Sequence, residues 1–379
     1  MSDEWIGLVH QASPIWSKKI VDLTVRKQIT LALMTKAGNI KLGVDTSYEE
    51  NYPIDWKDAP VSTLGFGGGA TYEPRDYTKT ATIEWRGYIA TDMMHIKEQS
   101  LLGGSTARFV DRYARIVPKK LKGMRKKFGQ EFYIDGNASG NQDRFCGIES
   151  FCGADVTATT GTDVDDLMAL PSDTYNGIST ELGANGDWSD DLGAGNFPND
   201  AVAKDWPEGS GDTEYDYWSP KLVNWSSNAW PSGSSNTWSD TGAFALRRTA
   251  QWLRQTAGVE SDTLLAMMNG ALMTQFKDAQ EAKLRTLAQH PQGRDLGFPG
   301  EVLEYDGMML KSEYGVPVNT CYVLNMDEVE LDILDKEFVT NRGPLLDPHS
   351  LAYLWFGFTF GNFKFIPKFC AKLYNYASS

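Results

Sequence analysis

Apolar residues first form a pattern around Ile20 to Met34, within an otherwise mixed stretch. Over residues 51–90 Tyr, Trp, Thr and Pro are frequent, helix signals are few, and glycines cluster in GFGGGA. In TATIEWRGYIA, Ile83, Trp85, Tyr88 and Ile89 stand among polar residues in near alternation, the period of a strand. Two extended arms meeting at the glycine cluster predict a long hairpin that protrudes and has no packed core of its own.

From Thr91 the period becomes helical. Phe109, Val110, Tyr113, Ile116, Val117, Leu121, Met124 and Phe128 recur at three and four residues, while Arg112, Arg115, Lys119, Lys122 and Lys126 share the opposite face. Ser105 is the expected N-cap and Gly129 the expected stop, giving a helix roughly 36 Å long. Pro118 removes one backbone donor and is expected to kink the helix without ending it, because the pattern continues past it.

Residues 153–243 are rich in Gly, Ser, Asn and Asp, with six of the twelve tryptophans, and predict a loop-rich, solvent-exposed insertion. The tryptophans argue against disorder there. Helices are expected at 244–257 and 261–289, the second capped by Ser261. Strands broken by Gly307, Gly315 and Pro317 follow, and FGFTFGNFKFIPKFCAKLYNY closes the chain as an aromatic strand pair. Helices and strands segregate along the chain, so the fold class is α+β.

Charge sharpens this picture. The 379-residue chain has a formal net charge of −14, yet 153–242 alone holds sixteen acids against two bases, and the remainder balances at 34 each. One segment is acidic; the rest is neutral. Within that neutral remainder, RYARIVPKKLKGMRKKFG (112–129) carries eight Lys and Arg and no acid. Like charges at this density repel unless another part of the chain or a polyanion neutralises them. A basic face without aromatics suits phosphate contacts that do not read bases.

Other chemistry is sparse. Cys146, Cys152, Cys321 and Cys370 have no zinc or redox spacing and read as reduced, semi-buried thiols. His10, His95, His290 and His349 are isolated, GFGGGA lacks the Lys-Ser/Thr of a phosphate loop, and GTDVDDLMALPSD lacks the glycine and distal glutamate of a calcium loop. No catalytic residue, metal or cofactor is expected. No signal peptide is expected, and no apolar run is long enough for a membrane span.

The order of these pieces resembles the major capsid protein of tailed double-stranded DNA bacteriophages. The resembling phrases are PIDWKDAPVSTLGFGGGATYEPRDYTKTATIEWRGYIATDMM, the long helix to FGQEFYIDG, FCGIESF, VLEYDGMMLKSEYGVPVNTCYVLNMDEVEL and the closing aromatic strands. The resemblance implies an N-terminal arm (1–47), an extended loop (48–90), a peripheral domain with its spine helix (91–152), an acidic Trp-rich insertion (153–243), an axial domain (244–325) and return strands of the peripheral domain (326–379). It implies a non-enzymatic subunit that assembles with copies of itself into hexamers and pentamers of an icosahedral head, in the virion, after assembly in the host cytoplasm. The loop tip, Phe66, Gly67, Gly68, Gly69 and Tyr72, is implied to contact a neighbour. The basic face is implied to meet either packaged DNA or a neighbouring subunit, and the spine helix to bend or straighten as the shell expands.

About forty residues precede the extended loop, fewer than a cleavable scaffolding region needs. No N-terminal maturation is therefore expected, and a separate scaffold, a portal and decoration proteins are the further partners implied. Lys57 and Lys79 lie in the extended loop, but nothing identifies a cross-linking partner. Two other readings stand beside this one. One is an encapsulin-like nanocompartment shell. The other is a carbohydrate-binding protein with Trp188, Trp206, Trp218, Trp225, Trp230 and Trp238 as stacking platforms.

Overall fold

The computed structural model describes residues 28–44, 49–55, 68, 69, 72, 77–97, 106–153, 168, 169, 171, 173–180, 218–226, 230, 237–256, 258, 259, 263–282, 288, 289 and 302–375, with side chains of 106–117 and a few others left out. The described residues open with α1 (Ile29–Ala37) and β1 (Ile40–Leu42), followed by the hairpin strands β2 (Glu49–Asp55) and β3 (Thr78–Glu84). Strand β4 (Arg86–His95) leads to α2 (Thr106–Glu131). Short strands β5 (Met168–Ala169), β6 (Thr174–Tyr175), β7 (Ile178–Ser179) and β8 (Lys221–Asn224) precede α3 (Trp238–Thr256). Then come β9 (Leu264–Met268), α4 (Gly270–Ala282), β10 (Ala288–Gln289), β11 (Val302–Tyr305), β12 (Met308–Ser312) and β13 (Thr320–Asn325). The chain closes with β14 (Glu330–Ile333), β15 (Thr340–Asp347), β16 (Ala352–Lys364) and β17 (Cys370–Tyr374). Among the described residues no helix is long and apolar enough to cross a membrane.

Two sheets organise the molecule. The larger has eight strands in the order β10-β11-β12-β9-β13-β17-β8-β5. Its middle is buried on both faces: Leu264, Ala266 and Met268 of β9 enter one core with α3 and α4, while Leu265 and Met267 enter a second core with α1 and α2. The smaller sheet joins β1, β14, β16 and β15, with β4 along the other edge of β16. The second core lies between the two sheets, and Phe128 of α2 sits in it 5.6 Å from Tyr88, 5.1 Å from Phe145 and 5.4 Å from Phe338, centroid to centroid.

Several expectations need correction. Residues 264–268 form a strand, not the start of a helix: five consecutive apolar residues buried on both faces carry no period to distinguish the two. Helical structure does not begin at Thr91, because β4 continues to His95 in register with Ala352. Helix α2 runs past Gly129 to Glu131, so Gly129 does not stop the helix; it packs against the Gln28 side chain. Its expected cap Ser105 lies outside the described residues, as does Ser261.

The closing strands do not pair with each other. Strand β16 pairs with β4, β14 and β15, and β17 with β13 and β8 in the other sheet. Nor is all of 153–243 solvent-exposed. Strand β8 is central enough to pair with both β17 and β5, and Trp218, Trp225, Trp230 and Trp238 are between 1% and 4% exposed. Trp225 and Trp238 meet edge to face at 5.5 Å, and Trp218 stacks on Tyr175. Enclosed rings offer no face to a sugar, which removes these four as platforms; Trp188 and Trp206 lie outside the described residues. All four cysteines are buried free thiols.

One long-range contact ties the amino-terminal helix to the body. Gln28 gives α1 no side-chain cap, and its first turn holds no acid. Glu313, 284 residues away, accepts hydrogen bonds from the Ile29 N–H at 2.9 Å and the Thr30 N–H at 3.2 Å, and also from the Tyr133 hydroxyl at 3.0 Å and the Thr30 hydroxyl. A buried carboxylate thus supplies the acceptors and the negative charge that a helix N-terminus lacks. Burial pushes its pKa up, against the hydrogen bonds from Thr30 and Tyr133.

Candidate functional site

The basic face of α2 is only partly free. Met124 and Phe128 are buried as the apolar repeat predicts, and Lys119 stands exposed with Lys122 and Lys126 half-buried along the same side. Arg112 and Arg115 lie in the first half of the helix, and their side chains are outside the described residues. Three further bases have defined surroundings. Lys120 is buried, with its pKa lowered by burial and partly restored by Asp92. Arg125 lies over the Phe338 ring at 5.9 Å, and Lys127 pairs with Glu131 at 2.7 Å. Glu131 is fully buried and also accepts from Arg144 at 2.9–3.1 Å. Sequence reasoning missed this clamp because Arg144 lies beyond the helix; the only local signal was the four-residue spacing of Lys127 and Glu131.

The hairpin is paired from Glu49↔Glu84 to Asp55↔Thr78. Of its tip, Phe66 and Gly67 lie outside the described residues, Gly68 and Gly69 are exposed, and Tyr72 is 92% exposed. Its root, by contrast, is seated on the body of the molecule. Ala81 and Ile83 are buried, Asn362 Nδ2 donates to the Glu84 carbonyl at 3.0 Å, and Asn176 donates to the Tyr52 hydroxyl at 3.0 Å. The Thr82 N–H also donates to the Asn176 carbonyl at 3.1 Å.

The sheet face turned away from α2 is a surface that sequence reasoning did not single out. Alternation along β4 turns Tyr88 toward Phe128 and Gly87, Ile89, Thr91 and Met93 outward, opposite Phe360, Phe358, Phe356 and Leu354 of β16. Ile89 is 66%, Met93 58% and Phe360 43% exposed, and Leu345 of edge strand β15, in register with Leu354, is 52% exposed, while Leu346, in register with Tyr353, is exposed on the opposite face. The Phe360 ring lies over Gly87, where a Cβ would stand 2.6 Å from it. Two open grooves of about 760 and 490 Å³ lie on this face, the first between Trp85, Arg86, Ile89, Phe358 and Phe360. This apolar face is edged by β15, whose far side pairs with no strand among the described residues, and exposed apolar faces of this kind are commonly covered by another molecule. Among the described residues no His, Cys, Asp and Glu cluster forms a metal site.

No family model matches the sequence, and no curated protein matches it. Solved structures do. A chain of the cyanophage A-1(L) capsid asymmetric unit matches with a TM-score of 0.59 at 12% identity, covering 96% of each chain. The capsid of cyanophage P-SCSP1u matches at 0.50 and 10% identity over 96% of this chain and 93% of that one. The capsid of a native GTA particle matches at 0.50 and 12% identity over 96% and 95%. The chain therefore has, over nearly its whole length, the mixed helix-and-sheet fold of these capsid proteins.

Proposed function

We propose that this chain is the structural subunit of a tailed-phage head, assembling through hexamers and pentamers into an icosahedral shell around double-stranded DNA. The observation that carries the reading is the fold match over 96% of the chain to a capsid subunit, with little left over to house another activity. The surfaces support it. A subunit working alone gains nothing from holding Ile89, Met93, Leu345 and Leu346 in water, and covering each such side chain in a neighbour contact is worth about 1.5–3 kcal/mol at full burial. The hairpin tip supplies the cover. Its root is anchored on its own subunit while Gly68, Gly69 and Tyr72 project, so the tip of one copy rests on the outer sheet face of the next. Heterologous contacts of this kind close only at a set curvature.

Lys119, Lys122 and Lys126, with Arg112 and Arg115, meet the packaged DNA through phosphate contacts that are independent of sequence. Scaffold, portal and decoration proteins complete the partner set, in a virion whose heads assemble in the host cytoplasm. The test is sedimentation and negative-stain imaging of the chain expressed alone and with its neighbouring genes. Closed shells, hexamers or regular sheets are expected, with nuclease-protected DNA inside filled heads. A discrete monomer or dimer at high concentration in every context overturns the reading.

A further inference from the structure

The root of the hairpin covers a buried charge cluster that the shell reading does not use. On the outward face of β14, Glu330 and Asp332 lie side by side, opposite Lys364 and Asn362 of β16. Lys41 of β1 sits in register with Asp332 and pairs with Glu330 at 2.6 Å. Lys364 reaches Glu330 at 3.3 Å and, from the hairpin, Glu50 at 3.7 Å, with its ammonium 4.7 Å from the Tyr52 ring centre. Glu328 faces the same Lys364 charge from beyond the strand.

Asp332 is the odd member. It is 1% exposed, beneath the hairpin, and neither of its carboxylate oxygens accepts a hydrogen bond; Glu50 Oε2 is likewise buried without a donor. Charges in direct contact also fail to balance. Lys41 and Lys364 offset Glu330 and Glu50, so an ionised Asp332 leaves one uncompensated negative charge on a carboxylate that is itself shielded from water. A proton on Asp332 removes that charge and provides the donor the cluster lacks, with Glu50 as neighbour.

We propose that Asp332 makes the seat of the hairpin proton-dependent: protonated, it holds β2 and β3 down on the sheet, and ionised, it drives them off through repulsion with Glu50. Burial, and next the charge of Glu50, push the Asp332 pKa up to about 7. In an opened root, where water reaches the carboxylate, it returns to the ordinary aspartate range, about 3.9. The closed state therefore binds the proton more tightly. It is most stable at low pH, loses stability as pH rises from the ordinary range through about 7, and changes no further above that. The cluster lies at the root of the projecting arm, which on the shell reading above, on which this consequence rests, is the element that reaches a neighbour.

Hydrogen exchange of the full chain, corrected for intrinsic rates, tests this at pH 5, 6, 7 and 8. In peptides spanning 49–55 and 78–84, opening is expected to increase roughly tenfold or more between pH 5 and 8, while peptides from β9 and β13 stay flat. Asp332→Asn, close in shape to the protonated acid, should hold the root closed with under about twofold change across the range. Glu50→Gln removes the repulsion and should move the transition to lower pH even if Asp332→Asn proves poorly folded. A root whose opening is independent of pH in the unaltered protein overturns the proposal, as does an Asp332→Asn protein that keeps the full pH dependence. Neither readout requires assembly, so failure here is separate from failure of the shell reading.

Discussion

The two sheets of this subunit are built from similar residues but treated differently by the fold. The eight-stranded sheet is sandwiched between two cores, and no residue of β9 or β13 escapes burial. The five-stranded sheet is covered on one face only. Trp355 and Phe363 are buried on the inner side, while Ile89, Met93 and Phe360 remain in water on the outer. The hairpin root covers only the end of that outer face, over Asp332 and Asn362. The chain thus completes one sheet with its own helices and leaves apolar side chains of the other exposed. On the proposed function, stability belongs to the first sheet and association to the second.

That division can be broken from either side. The largest expected effect on the subunit itself is at the enclosed sheet's core. Trp238→Ala removes a buried ring set edge to face against Trp225 and should cost about 3–5 kcal/mol in chemical denaturation, with assembly lost only as a consequence. Glu313→Ala strips the acceptor from the Ile29 and Thr30 amides and the Tyr133 hydroxyl. A loss of about 1–3 kcal/mol is expected, together with faster exchange in 29–37.

The outer face should behave in the opposite way. Ile89→Ser with Phe360→Ser is expected to change subunit unfolding by no more than about 0.5 kcal/mol yet abolish regular particles in negative stain. If particles still form, that face is not the seat of the neighbour's hairpin. The smallest effect is reserved for the helix. Lys119→Ala with Lys126→Ala should leave folding and assembly intact and lower the salt slope of DNA retention by about 1 per lysine removed. If the slope stays unchanged while assembly weakens, a neighbouring subunit takes the place of DNA.

Much of the architecture was legible because it rests on local periods. Alternation marked the strands around Ile83 and Tyr88, and three-and-four spacing marked α2 as amphipathic, with Met124 and Phe128 inward. Charge was legible only as a count. Five of the eight bases of α2 read as one face; of the other three, Lys127 is held by Glu131 one turn on, while Arg125 lies over Phe338 and Lys120 is buried through contacts that no local spacing contains. Tryptophans among glycines and acids read as a decorated surface, whereas Trp225, Trp230 and Trp238 fill a core whose other half arrives from β9, α3 and β13.

The sequence by itself determined the α+β class, the order of hairpin, long helix and closing strands, and the concentration of basic residues on one helix. Each of these follows from interactions within a few turns or a few residues of strand. The tertiary structure decided the rest: that 264–268 is a strand, that β16 and β17 part company into different sheets, that Glu313 caps a helix 284 residues away, and that Asp332 lies beneath Glu50. The physical reason is common to all four. A residue buried on every side, or paired with a distant one, owes its state to neighbours that local periodicity does not specify, so its conformation and charge are settled only when the sheets close over it.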